Sequence, residues 1–193
     1  MPCGACRQLL AEYAGDAKLW VADSRALKRL REFTVRDLLT HRSGLGLGAG
    51  DLLFVPSTDF TRAEVIHALR YLKPVTSFRS EFAYDNLLYA VAGEVVAAAS
   101  GQSWEAFVTE RLLHPLGMDD CAASPALSKS TNRSSPHILV DGKLQRVPLL
   151  EITVVNAAGS IVCSVNGMSR WIAMQLAEGA LPAPAAGRLF SAA

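Results

Sequence analysis

A chain of 193 residues, half of them hydrophobic, can bury one sizeable core, so a single folded unit is the starting expectation. Its 19 basic and 18 acidic side chains leave a net charge of +1, which argues against nucleic acid or another polyanion as a partner. No stretch approaches the roughly 18 uninterrupted apolar residues of a membrane span, and no basic-then-apolar leader pattern opens the chain, so the expectation is a cytoplasmic protein with no membrane partner.

In chain order, the first segment is Met1-Pro-Cys-Gly-Ala-Cys-Arg-Gln, where Cys3 and Cys6 stand three apart at the start of a predicted helix. That spacing puts two sulfurs on one turn, within reach of one tetrahedral metal, and unpaired N–H groups at a helix start favour thiolates. The pattern resembles the second zinc-binding segment of the cytidine deaminases, and the likeness extends through Arg31-Glu-Phe33-Thr-Val-Arg-Asp-Leu-Leu39. A zinc deaminase also needs a third ligand and a catalytic glutamate from an upstream segment, which this sequence does not contain. No cofactor is therefore expected, and zinc at Cys3 and Cys6 is a residual possibility. The basic run Arg25-Ala-Leu-Lys28-Arg29-Leu-Arg31 reads as a solvated face. The remaining cysteines, Cys121 and Cys163, are isolated, and the four together do not read as a disulfide framework.

Further on, Thr61 and Glu64 form a capping box for a helix over 61–72, with Val65, Ile66, Leu69 and Leu72 on one face and Pro74 as its stop. A second helix over 85–99 is apolar nearly all round, ends at Gly101, and should be buried. Ser103 caps a third, with Trp104, Phe107, Val108 and Leu112 inward. Residues 124–146 hold no periodic pattern and read as a loop, with a short hairpin about Asp141-Gly142. A strand is expected over 149–155, and a fourth helix over 164–178 with Met168, Trp171 and Ile172 on one side and Gly179 after it. The Ala- and Pro-rich end, 180–193, reads as a frayed tail.

Three blocks carry a second resemblance: FTVRDLLTHRSGLG (33–46), FAYDNLLYAVAGEVVAAASG (82–101) and SWEAFVTERLLHPLGM (103–118). In this order and spacing they resemble the serine β-lactamase and penicillin-binding-protein family, closest to class C β-lactamases and related esterases. The resemblance implies a mostly α (α+β) fold class, the helical half of a β-lactamase-like fold over 33–179 following a deaminase-like segment over 1–32. It also implies acyl transfer through an acyl-enzyme, acting on short esters or β-lactam-type amides. Tyr84 and Asn86 match the family's Tyr-x-Asn motif, as proton-handling and substrate-positioning groups. The family's Ser-x-x-Lys motif is absent, as is its Lys- or His-Thr-Gly motif. Ser24 with Lys28, four residues apart, is the nearest internal substitute for nucleophile and base, and Ser128-Lys129 a weaker one.

Two rival readings accompany this one. One is a non-catalytic remnant domain whose uncovered apolar helix drives homo-oligomer formation. The other is the residual zinc-binding protein. Ser43, two residues from His41, reads as part of a structural turn. His67 and His114 read as structural.

Overall fold

The computed structural model describes residues 33–190, apart from Ser57 and Glu151. Cys3, Cys6, Ser24, Lys28 and the whole deaminase-like segment lie outside the described residues. Among those described, the molecule is mostly helical with one small hairpin, in keeping with the expected class.

The chain first folds into α1 (Val35–Leu39), whose start is closed by a capping box. Thr34 accepts from the Asp37 backbone N–H and the Asp37 carboxylate accepts from the Thr34 N–H. Helix α2 (Arg62–Ala68) opens with the Thr61–Glu64 box read from the sequence, then tightens into a 3-10 turn at Leu69–Tyr71. Helix α3 (Asn86–Ser100) starts at the N-cap Asp85 and stops at Gly101, which adopts φ 70° as a left-handed C-cap. Helix α4 (Trp104–Val108), capped by Ser103, runs on into a π turn at Thr109–Leu113. The hairpin pairs β1 (His137–Val140) with β2 (Lys143–Arg146), register Val140 to Lys143, about Asp141 and Gly142. Both turn residues have positive φ, 47° and 74°, as a tight hairpin of this handedness requires. Helix α5 (Val165–Leu176) begins at Ser164.

Helix α3 lies between two apolar clusters, which explains a sequence that is apolar nearly all round. On one side Leu88, Tyr89 and Val91 pack with Phe33, Val35 and Leu38 of the α1 region and with Leu112, Leu113 and Leu116. On the other, Leu87 and Ala90 meet Phe54, Val65, Val154 and Val155. Full burial of each such leucine contributes roughly 2 kcal/mol. The chain thus covers this helix itself. The expectation that α3 leaves a bare face for self-association is corrected: its exposed side chains are few and short, and Glu94 is among them.

Glycine permits a close approach in this packing. A Cβ on Gly93 would stand 2.6 Å from the Cβ of Ala157, so the Ala157 methyl of the turn seats directly against the α3 backbone.

Three further expectations need correction. The segment read as a strand over 149–155 instead enters a 3-10 turn at Thr153–Ala158, with Val154, Val155 and Asn156 buried. A short apolar run does not distinguish strand from buried turn, and here Arg62 donates to the carbonyls of Thr153 and Val154, holding them away from any ladder. Helix α5 buries Gly167 and Met174 and lays Trp171 against the core, while Val165, Met168, Ile172 and Leu176 are exposed. Cys121 and Cys163, read from the sequence as isolated, form a disulfide across a separation of 42 residues. A Cβ at Gly167 would lie 2.3 Å from the Cys121 sulfur, so only a glycine face can press against the bridge. The stretch leading up to Phe190 is docked rather than frayed, with Leu189 and Phe190 buried and the Leu189 N–H donating to the Gly179 carbonyl at 2.8 Å.

Candidate functional site

The site is built where the chain enters α3. Asp85 is extended (φ −149°, ψ 117°), so Tyr84 and Asn86 project to one side and Asp85 to the other. On the outer side the Tyr84 hydroxyl donates to the Asn86 side-chain carbonyl at 3.0 Å. The Asn86 amide donates in turn to Asp51, at 3.2 and 3.4 Å to its two oxygens. This chain of bonds fixes the amide orientation, carbonyl toward the tyrosine and NH2 toward the carboxylate. Tyr84 keeps 38% of its surface exposed, so the pair faces solvent rather than the core.

Tyr84 is held from behind by His41, whose ring lies 4.7 Å from it, 5.0 Å from Tyr89 in a stack, and 5.5 Å from Phe82 edge-on. His41 adopts φ 55°, and its Nδ1 accepts from the Asp85 N–H at 3.2 Å. The neutral ring therefore carries its proton on Nε2. The Tyr84 carbonyl accepts from Gly48 at 2.8 Å, tying the site to the loop that carries Asp51. His41 and Asp51 were not picked out as site residues from the sequence. Asp51 sits 35 residues before Asn86, and no local spacing announces such a contact.

On the inner side Asp85 is 0% exposed. One carboxylate oxygen accepts from the Leu87 N–H at 2.8 Å as the helix cap, and the other has no hydrogen bond. Burial pushes its carboxyl up to about 7; the Leu87 and Leu88 N–H groups pull the other way, and the negative charge of Asp51 adds to the rise. A second buried carboxylate, Asp37, takes a bidentate pair of bonds from Arg79, both 2.8 Å. Burial pushes it up as well, but the Arg79 and Thr34 bonds outweigh that and hold it at about 2.

The structure thus brings together Tyr84 and Asn86 of the expected residues. Ser43 is buried, and its hydroxyl accepts from the Leu45 N–H at 3.0 Å, as a structural turn requires. Ser169 is spent on the Val165 carbonyl within α5, and His67 meets Arg70 at 2.8 Å. Ser128 accepts from Ser130 N–H at 3.4 Å in the loop before the hairpin. Among the described residues no ammonium or guanidinium hydrogen-bonds the Tyr84 hydroxyl, and no group of three or more His, Cys, Asp or Glu side chains could hold a metal. No described helix is long and apolar enough to cross a membrane.

Among curated proteins the chain is similar to Gigasin-6 of Magallana gigas, 29% identical over 162 residues, covering 82% of this chain and 52% of that one. It is also similar to an unguisins hydrolase of Aspergillus violaceofuscus, 24% identical over 163 residues, covering 75% of this chain and 27% of the relative. The chain therefore spans about half or less of the length of these relatives. Of solved structures, the octameric penicillin-binding protein homologue from Pyrococcus abyssi superposes with TM-score 0.70 at 22% identity, covering 91% of this chain and 43% of that one. A class C β-lactamase does so with TM-score 0.65 at 22% identity, covering 92% and 50%. At these identities the likeness is one of fold. The deaminase resemblance over 1–39 finds no support in these comparisons, whereas the β-lactamase family model matches residues 16–193 and so takes in part of that stretch. With nearly the whole chain inside that match, this protein belongs to the β-lactamase family.

Proposed function

We propose that the chain contributes the tyrosine–asparagine side of an acyl-transfer site, hydrolysing short acyl esters or β-lactam-type amides through an acyl-enzyme. The observation that supports this is the solvent-facing Tyr84–Asn86 pair, bonded at 3.0 Å and braced by Asp51 and His41. A structural tyrosine of this size would ordinarily turn its ring inward and its hydroxyl to a backbone carbonyl, as Tyr89 does with Leu39 at 2.9 Å.

In the proposed step a serine oxygen attacks the acyl carbon and its proton passes toward Tyr84. Asn86 orients the substrate through its amide. The leaving group departs with a proton, and water then cleaves the acyl-serine bond. No described serine suits the attack. Within this sequence Ser24 with Lys28 is the pair to test, since side chains four apart meet on a helix face. The assay is turnover of short-chain nitrophenyl esters by the protein and by Tyr84→Phe, with a penicillin or phosphonate probe to locate the acylated residue. Turnover lost in Tyr84→Phe supports the reading. Turnover no faster than buffer sinks it.

A second reading, a domain that assembles with copies of itself, has one observation in its favour. Val165, Met168, Ile172 and Leu176 form an exposed apolar stripe at helical spacing along α5. Light scattering that returns a monomer, unchanged in Ile172→Lys, removes it.

A further inference from the structure

A cleft of about 780 Å³ lies between the start of α2, helix α4 with its π turn, and the turns at Pro125–Leu127 and Thr153–Ala158. It shares no residue with the Tyr84–Asn86 pair, and the α3 residue nearest its charged wall, Glu94, lies about 12 Å along the helix from Asn86. Nothing in the acyl-transfer reading uses it.

Its polar lining holds the carboxylates of Glu105 and Glu110, several hydroxyls, His114 and one guanidinium, Arg62, whose three nitrogens all donate to protein acceptors. The Arg62 Nε donates to the Val154 carbonyl, one terminal nitrogen to Glu94, and the other to Glu105 and the Thr153 carbonyl. The Asn156 amide donates to the same Glu105 oxygen at 2.8 Å, and the Glu105 backbone N–H also bonds that carboxylate, while the Asn156 side-chain carbonyl takes no protein hydrogen bond. Asn156 is 5% exposed, so what accessible surface it has belongs to the cleft it lines. Ser124, 2% exposed, lines the cleft too, and its hydroxyl makes no protein hydrogen bond. Glu110 at the rim gives one oxygen to Gln102 and keeps the other open. Glu105 and Glu110 in the lining, with Glu94 just outside it on Arg62, outnumber the one guanidinium; His114 also lines the cleft, and Phe60 and Leu127 supply its apolar surface.

Nearly buried acceptors left without donors are costly unless a ligand or water satisfies them. The excess of negative charge selects a cation, and the apolar wall selects a stem rather than a hydrated metal ion. We propose that this cleft binds an organic cation, a primary ammonium carried on an apolar stem. The head donates to Glu105, Asn156 and Ser124, and the stem lies on Phe60 and Leu127. Such a group can be a free amine or the lysine side chain of a peptide.

The test is calorimetric and NMR titration of the whole chain at pH 8 with phenethylammonium, 3-phenylpropionate and N-acetyl-lysine methylamide. Phenethylammonium is expected to saturate and to shift the amides of Ala126 and Asn156, with the carboxylate analogue at least about tenfold weaker. Glu110→Gln, at an exposed position, is expected to weaken the amine about threefold to fivefold, and Ala126→Trp, filling an exposed wall, to abolish binding. If the lysine amide binds more tightly than phenethylammonium, the source is a peptide; if more weakly, a free amine. Equal binding of the cation and the carboxylate, no saturation, or binding untouched by Ala126→Trp overturns the proposal. None of these readouts involves ester turnover, so this proposal and the acyl-transfer reading fail separately.

Discussion

Asp37 and Asp85 are both buried carboxylates at helix starts, one at the third position of α1 and the other capping α3, yet they end about five pKa units apart in character. Asp37 meets a guanidinium face to face and is held at about 2. Asp85 meets only backbone N–H groups, keeps one oxygen unpaired, and rises to about 7. Desolvation raises both, more strongly at Asp85, and only Asp37 has a cationic partner that overcomes it. The paired carboxylate is a structural clamp. The unpaired one sits directly between the two residues proposed to handle substrate.

The largest expected effect comes from Asp85. Its folded pKa is raised, so its contribution is fully present below the unfolded value near 4 and is lost as pH rises through about 7, a change of about 4 kcal/mol at most. Asp85→Asn keeps a good N-cap and is expected to flatten that fall. Urea midpoints measured from pH 4 to 8 check it, and parallel curves for wild type and variant would break the contrast.

Asp37 has the opposite sign. Its pKa is lowered, so its stability is present above about 4 and declines as pH falls through about 2, in total about 2 kcal/mol after allowing for a half-exposed Arg79. Asp37→Ala removes the capping box as well and is expected to cost about 2–3 kcal/mol at neutral pH. Arg79→Met isolates the pairing, and in it the carboxyl should titrate upward by NMR.

A smaller effect sharpens the comparison. Asp51 contributes to the rise at Asp85, so Asp51→Asn is expected to move the midpoint of the Asp85 pH transition downward while freeing the Asn86 amide. The smallest is Tyr84→Phe. Its hydroxyl faces solvent, and the loss of one exposed hydrogen bond is expected to cost under about 1 kcal/mol. A thermal shift within that limit, together with loss of ester turnover, would separate a chemical tyrosine from a structural one.

What was legible in the sequence was local. Thr61 with Glu64, Ser103 before α4, Gly101 after α3 and Asp141-Gly142 each encode their structure within a few residues, and each appears where expected. Tyr84 and Asn86 were legible because the motif occupies three consecutive positions. The rest depends on partners far along the chain. Asp37 and Arg79 lie 42 residues apart, Asp51 and Asn86 35, Cys121 and Cys163 42, and no periodicity records such meetings. The docked stretch at Leu189 and Phe190 was hidden by a composition of alanine and proline that usually marks a free tail.

The extended backbone at Asp85 imposes a parity rule on the motif. Even-numbered side chains go outward and the odd one inward, so inserting or deleting a single residue there would swing an amide into the apolar interior and thrust a carboxylate out toward solvent. Drift in the loops on either side can be absorbed by slack chain. Between the tyrosine and the asparagine no change of length can be.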